Sequence, residues 1–138
     1  MSQPAYVRSV LFLLVSLTAV GTLAAAAQPL AEGTWTEKTA SIRGSWSIVE
    51  EGESRFLVLS DDFKTKKAPD LKLFLSPQEL SSVNGKNATD RVVLIGSLQS
   101  PRGGQRYLIP DGVDLGRYST LLLHCEKYSK LWGAATIR

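Results

Sequence analysis

Ser119-Thr120-Leu121-Leu122-Leu123-His124-Cys125 is the stretch on which the fold turns. It is apolar almost throughout, too short for an ordinary buried helix, and bounded by polar residues. Such a run suits a central strand covered on both sides, or a sandwich strand with one partly shielded face. Phe56–Ser60 (FLVLS) and Arg91–Ser97 (RVVLIGS) share the pattern. In an extended strand successive side chains point to opposite faces. Leu121, Leu123 and Cys125 therefore share one face, and Leu122, His124 and Glu126 share the other.

Working outward, further strands are expected at Thr34–Ala40, Ser45–Glu50, Arg55–Ser60, Leu71–Leu75, Arg91–Ser97, Gln105–Ile109 and Leu131–Ile137. The breaks carry turn chemistry: Glu51-Gly52, Asn84-Gly85, Arg102-Gly103-Gly104 and Pro110-Asp111-Gly112. Glycine and asparagine there permit positive φ, while proline fixes φ and cannot donate to a ladder. Ser76-Pro77-Gln78-Glu79 has a capping serine, a proline at the first helical position and a glutamate at N3. It predicts a helical turn or two over Pro77–Ser82. The expected fold is all-β: one antiparallel sandwich or barrel-like domain of about eight strands with one short helix.

The N-terminus reads as an export signal. Arg8 supplies the positive end, Val10–Val20 the apolar stretch, and Ala25-Ala26-Ala27 a small-residue cleavage site. The division expected is a signal peptide at 1–27, an N-terminal segment with a first strand at 28–43, and a β domain at 44–138. Export implies a periplasmic or extracellular protein with no membrane span after cleavage. Removing Arg8 lowers the net charge from +3 to about +2, too mild to imply nucleic acid. Lys64, Lys66 and Lys67 read as a solvated loop.

Cys125 is the one cysteine. Small exported domains commonly carry paired cysteines, but here no intramolecular disulfide can form. Cys125 is then buried, reactive, liganded or paired with another molecule. As a buried apolar residue it would be inert; as a redox thiol it would need access and a nearby cation such as Lys127 or Lys130. Counting excludes several cofactors. Blue copper needs two histidines and a cysteine, and His124 is the one histidine. The C-x-x-C-H haem motif is absent, and there are too few ligands for structural zinc or an iron–sulfur cluster. A noncovalent haem ligated by His124 or Cys125 stays open. No metal site is expected, because the Asp61-Asp62 and Asp111/Asp114 groups lack a calcium-loop spacing. Asp114 is expected instead to cap the turn at Leu115–Tyr118. Hydrolase signatures are missing.

Read in order, Phe63-Lys64-Thr65, Pro69-Asp70-Leu71, Phe74-Leu75-Ser76 and Ile95-Gly96-Ser97-Leu98 lead to Gly104, Tyr107, Pro110, Tyr118-Ser119, His124-Cys125 and Trp132-Gly133-Ala134-Ala135. This order resembles the electron-transfer DM-thirteen domain, a family of secreted or periplasmic modules. It covers about Gly44 to the C-terminus. The resemblance implies a compact β domain whose family cysteine is Cys125. It also implies extracytoplasmic electron transfer through a bare thiol or a bound group such as haem, working with a separate redox partner protein. Such a module is more an accessory than an enzyme by itself. The other reading is a non-catalytic exported β module that binds a ligand or a protein, with Cys125 in its core.

Overall fold

The computed structural model describes Gly21 and residues 28–138. The predicted signal peptide, 1–27, lies, Gly21 apart, outside the described residues. Eleven strands follow in order: β1 (Ala31–Thr34), β2 (Thr36–Glu37), β3 (Ile42–Arg43), β4 (Ser45–Glu51), β5 (Ser54–Leu59), β6 (Lys64–Thr65), β7 (Leu71–Ser76), β8 (Val93–Ser97), β9 (Gln105–Ile109), β10 (Thr120–Cys125) and β11 (Lys130–Thr136). A short 3-10 helix, Leu115–Arg117, precedes β10.

Two open antiparallel sheets make the sandwich, with strand orders β1-β4-β5-β9 and β2-β11-β10-β7-β8. Their inner faces meet in one core. Trp46, Ile48, Leu57, Leu59, Tyr107 and Ile109 of the first pack on Leu71, Leu73, Leu75, Leu121, Leu123 and Cys125 of the second. The sequence reading left sandwich and barrel open; the sheets do not close, so the fold is a sandwich.

Three strands of the second sheet, β7, β10 and β11, owe their pattern to a second cover. On the outer face, Phe74, Leu122, Leu131 and Ala134 pack against Val83 and Ala88 from the segment 77–92, with Leu80 and Val92 at its margin. Every residue of β10 is therefore buried. The covering segment is held by its own polar side chains. The Gln78 amide donates to the Asn87 carbonyl (2.7 Å), Asn87 Nδ2 donates to the Ser82 carbonyl (3.0 Å), and the Thr120 hydroxyl donates to the Gln78 carbonyl (2.6 Å). The expected helix over Pro77–Ser82 does not form. Ser76 Oγ does accept from the Gln78 N–H (3.1 Å), but the chain then runs into turns rather than helix. Serines and an Asn-Gly pair follow, and such residues favour side-chain-to-backbone turns over helix.

The predicted strand Thr34–Ala40 is two strands. The chain breaks at Trp35, so that β1 pairs with β4 in one sheet and β2 with β11 in the other. Close approach at this crossing requires Gly133, where a Cβ would sit 2.2 Å from Ile42 Cδ1 and 3.2 Å from the Thr36 carbonyl oxygen. β3 and β6 form a separate two-stranded ribbon pairing Arg43 with Lys64. Gly44 follows at φ +94°, with a Cβ position only 2.8 Å from the Phe63 Cα, which no side chain can share.

Candidate functional site

β10 sorts its side chains as an extended strand must. Cys125 falls on the inner face, completely buried among core residues, and His124 falls on the outer face at 2 % exposure. The registers place their neighbours. Cys125 lies opposite Leu71 on β7 and Lys130 on β11. His124 lies opposite Lys72 and Leu131, because β11 carries an extra residue, Trp132, between the partners of Leu123 and His124. That bulge turns the Trp132 indole inward, where Nε1 donates to Thr65 Oγ1 (3.0 Å).

The two candidate residues therefore have separate surroundings. The His124 ring meets Phe74 edge-on, with centroids 6.5 Å apart, and its buried Nδ1 has no hydrogen-bond partner. Burial pushes the imidazole below its ordinary range, and the Glu126 and Asp70 carboxylates oppose that in part. The same carboxylates are held by Lys72, which donates to Glu126 and stands 3.4 Å from Asp70. Hydrogen bonding to Glu126 holds the Lys72 ammonium above its ordinary range.

Cys125 lies across the strand pair from a residue that lines a surface cleft. Lys67, Ala68, Pro69, Asp70 and Leu71 form one wall and Ser97, Leu98, Gln99, Ser100 and Pro101 the other, around about 290 Å³. Leu71 belongs to the cleft and is also the cross-strand neighbour of Cys125. Backbone bonds tie these parts together. The Leu98 N–H donates to the Leu71 carbonyl (2.8 Å), and the Glu126 N–H donates to the Asp70 carbonyl (3.1 Å).

The far wall is fixed from below. Tyr107 Oη accepts from the Gln99 N–H (2.9 Å) and donates to Gln105 Oε1 (2.6 Å), while the Gln105 amide donates to the Ser100 and Gly103 carbonyls. Burial raises the Tyr107 phenol above its ordinary range, so it remains a neutral donor. Gly96 leaves room for that ring, which lies 3.3 Å from where a Cβ would stand. The cleft is thus built largely from pieces that carried the sequence resemblance: Pro69-Asp70-Leu71, Ser97-Leu98, and the supporting Gly96 and Tyr107. Sequence reading singled out those pieces but did not join them into one place.

A haem held by His124 or Cys125 does not fit this packing. The two side chains lie on opposite faces of the sheet, both are enclosed, and the principal surface clefts are lined by other residues. Among the described residues no group of three or more His, Cys, Asp or Glu side chains is placed to hold a metal ion. Asp114 does cap the 3-10 turn, its Oδ1 accepting from the Gly116 N–H (3.0 Å). No helix among the described residues is long and apolar enough to cross a membrane.

No curated protein and no solved structure matches the chain. A family model described as "Electron transfer DM13" matches residues 34–137, which takes in every strand after β1, the covering segment and the cleft beside Cys125. This chain belongs to the electron transfer DM13 family.

Proposed function

We propose that the protein is an exported redox accessory module in which Cys125 is the reacting thiol and the Leu71 cleft is its route to a separate redox partner. One observation carries this reading: the cleft assembled from the family's own sequence pieces is lined by Leu71, the residue directly across the strand pair from the single cysteine. Membership of an electron-transfer family supports the redox half of the proposal, and the N-terminal sequence pattern supports export.

The chemistry is thiol–disulfide exchange. The Cys125 thiol gives up its proton and attacks one sulfur of a disulfide on the partner. A Cys125–partner mixed disulfide forms, the partner's S–S bond breaks, and its second sulfur leaves as a thiolate that takes up a proton. Because Cys125 is wholly enclosed, the step requires a local opening at Leu71 before attack. Enclosure keeps the thiol from chance oxidants, since reactivity follows access.

The rival reading is a non-catalytic binding module with Cys125 as core, and the complete burial of that residue favours it. Labelling of Cys125 by a neutral disulfide reagent under native conditions separates the two. A local opening gives a rate nearly independent of urea well below the unfolding midpoint. A rate that rises with urea along the full denaturant dependence of global unfolding overturns the redox reading and leaves the binding module.

A further inference from the structure

We propose that the exposed face of the β3–β6 ribbon is a docking surface for an acidic partner protein. Arg43 pairs with Lys64 across the ribbon, and Lys64 in turn forms a bridge with Arg102. Residues directly opposite one another in antiparallel pairs project to the same side. Three exposed cations therefore stand in one row across three chain segments, over about 10 Å at the usual strand spacing. Lys66 and Lys67 extend the same charge toward the cleft, of which Lys67 is a lining residue.

Like charges placed directly opposite cost stability, and three cations elsewhere are matched with carboxylates. Lys72 is matched with Glu126 and Asp70, Arg106 with Glu51, and Arg117 with Asp114. Among the described residues, Arg43, Lys64, Lys66, Lys67 and Arg102 make no ion pair. Asp61 and Asp62 stand at one margin, with Asp62 accepting from the Ser60 hydroxyl. A row of unmatched cations is what a face with matching carboxylates would neutralise, and its length exceeds a single small anion.

The surroundings select a protein over the other polyanions. The large exposed apolar residues, Leu30, Leu94, Leu108 and Tyr128, lie outside the row, so it has nothing to insert into a lipid surface. Of the nearby aromatics, Phe63 and Trp35 are buried and Trp132, bonded to Thr65, packs partly into the core, so the row has no series of open aromatic faces on which bases could stack. As the place where the redox partner lands, the surface rests on the function proposed above. Electrostatic complementarity of this kind sets encounter rate and orientation more than final affinity.

The test measures binding of a decaglutamate peptide to the purified full chain, beside vesicles of phosphatidylcholine with phosphatidylserine. Binding to the peptide that weakens as salt rises is expected, because exposed charges are screened. Lys64→Glu should weaken it on the order of tenfold. The same change turns the row into alternating signs, so it should raise Tm by about 2–4 °C. Lys86→Glu, on the Asn84–Asn87 turn, should leave peptide binding unchanged. Failure of the peptide to bind, or binding indifferent to Lys64→Glu, overturns the proposal. So does binding to the anionic vesicles without binding to the peptide, which would make the row a membrane contact. The readout contains no thiol chemistry, so its failure refutes the docking surface alone, and the urea-dependence of Cys125 labelling refutes the redox reading alone.

Discussion

The two sheets of the sandwich are built from the same kinds of residue and yet read differently. In β4 and β9 of the four-stranded sheet burial alternates, with Trp46 and Ile48, or Tyr107 and Ile109, inside and their neighbours half-buried or exposed. In β10 of the five-stranded sheet all six residues are buried. The cause is the segment 77–92, which lays Val83 and Ala88 over one sheet while water covers the other. A continuous apolar strand thus records a layer that has no regular secondary structure of its own. The comparison also explains the fate of the single histidine. His124 would be solvated on the four-stranded sheet; on the five-stranded one it is enclosed with an unsatisfied nitrogen.

The comparison breaks most visibly at Leu122, the centre of the covered outer face. Leu122→Ala should cost about 2–5 kcal/mol in urea unfolding, as for a fully enclosed leucine. A loss below 1 kcal/mol would mean that the segment 77–92 is not a true second layer.

A smaller effect is expected at His124. Its folded-state proton affinity is depressed below the ordinary value of 6.5, so between the folded value and 6.5 the unfolded chain holds the extra proton. Stability is then complete above about pH 6.5 and declines as pH falls through that window. His124→Leu should remove this part of the pH dependence. It should also gain about 1 kcal/mol at pH 7 by removing the unsatisfied Nδ1. Urea midpoints of both proteins from pH 7.5 to 5 provide the check, and parallel curves would refute the assignment. The smallest effect belongs to the water-facing side of the other sheet. Leu108→Ala, at a residue 53 % exposed, should shift stability by no more than about 0.5 kcal/mol.

Most strands were legible because each is a local run closed by Gly, Pro, Asn or Asp. The in–out sorting of Leu121, Leu122, Leu123, His124 and Cys125 followed from alternation alone. Three features were not legible, each for a physical reason. Trp35 breaks the first expected strand because two different sheets compete for its ends, a long-range choice that leaves no local mark. The Ser76 cap formed without its helix because capping chemistry also starts turns, and the Gln78 and Asn87 side chains completed those turns instead. The cleft and the cation row join residues as far apart as Arg43, Lys64 and Arg102. The lysines had read as a solvated loop, since nothing local shows that Lys64 is held in a ribbon opposite two arginines. The candidate site was legible as residues and invisible as a place.

The chain's single cysteine has a last consequence. Many small exported domains are braced by covalent cross-links and slacken when those links are reduced. Here the scaffold owes nothing to sulfur–sulfur bonds: two apolar sheets and a stitched loop carry the whole load. Reductant in the surroundings therefore leaves the architecture untouched, because no bond it could cleave holds the two sheets together.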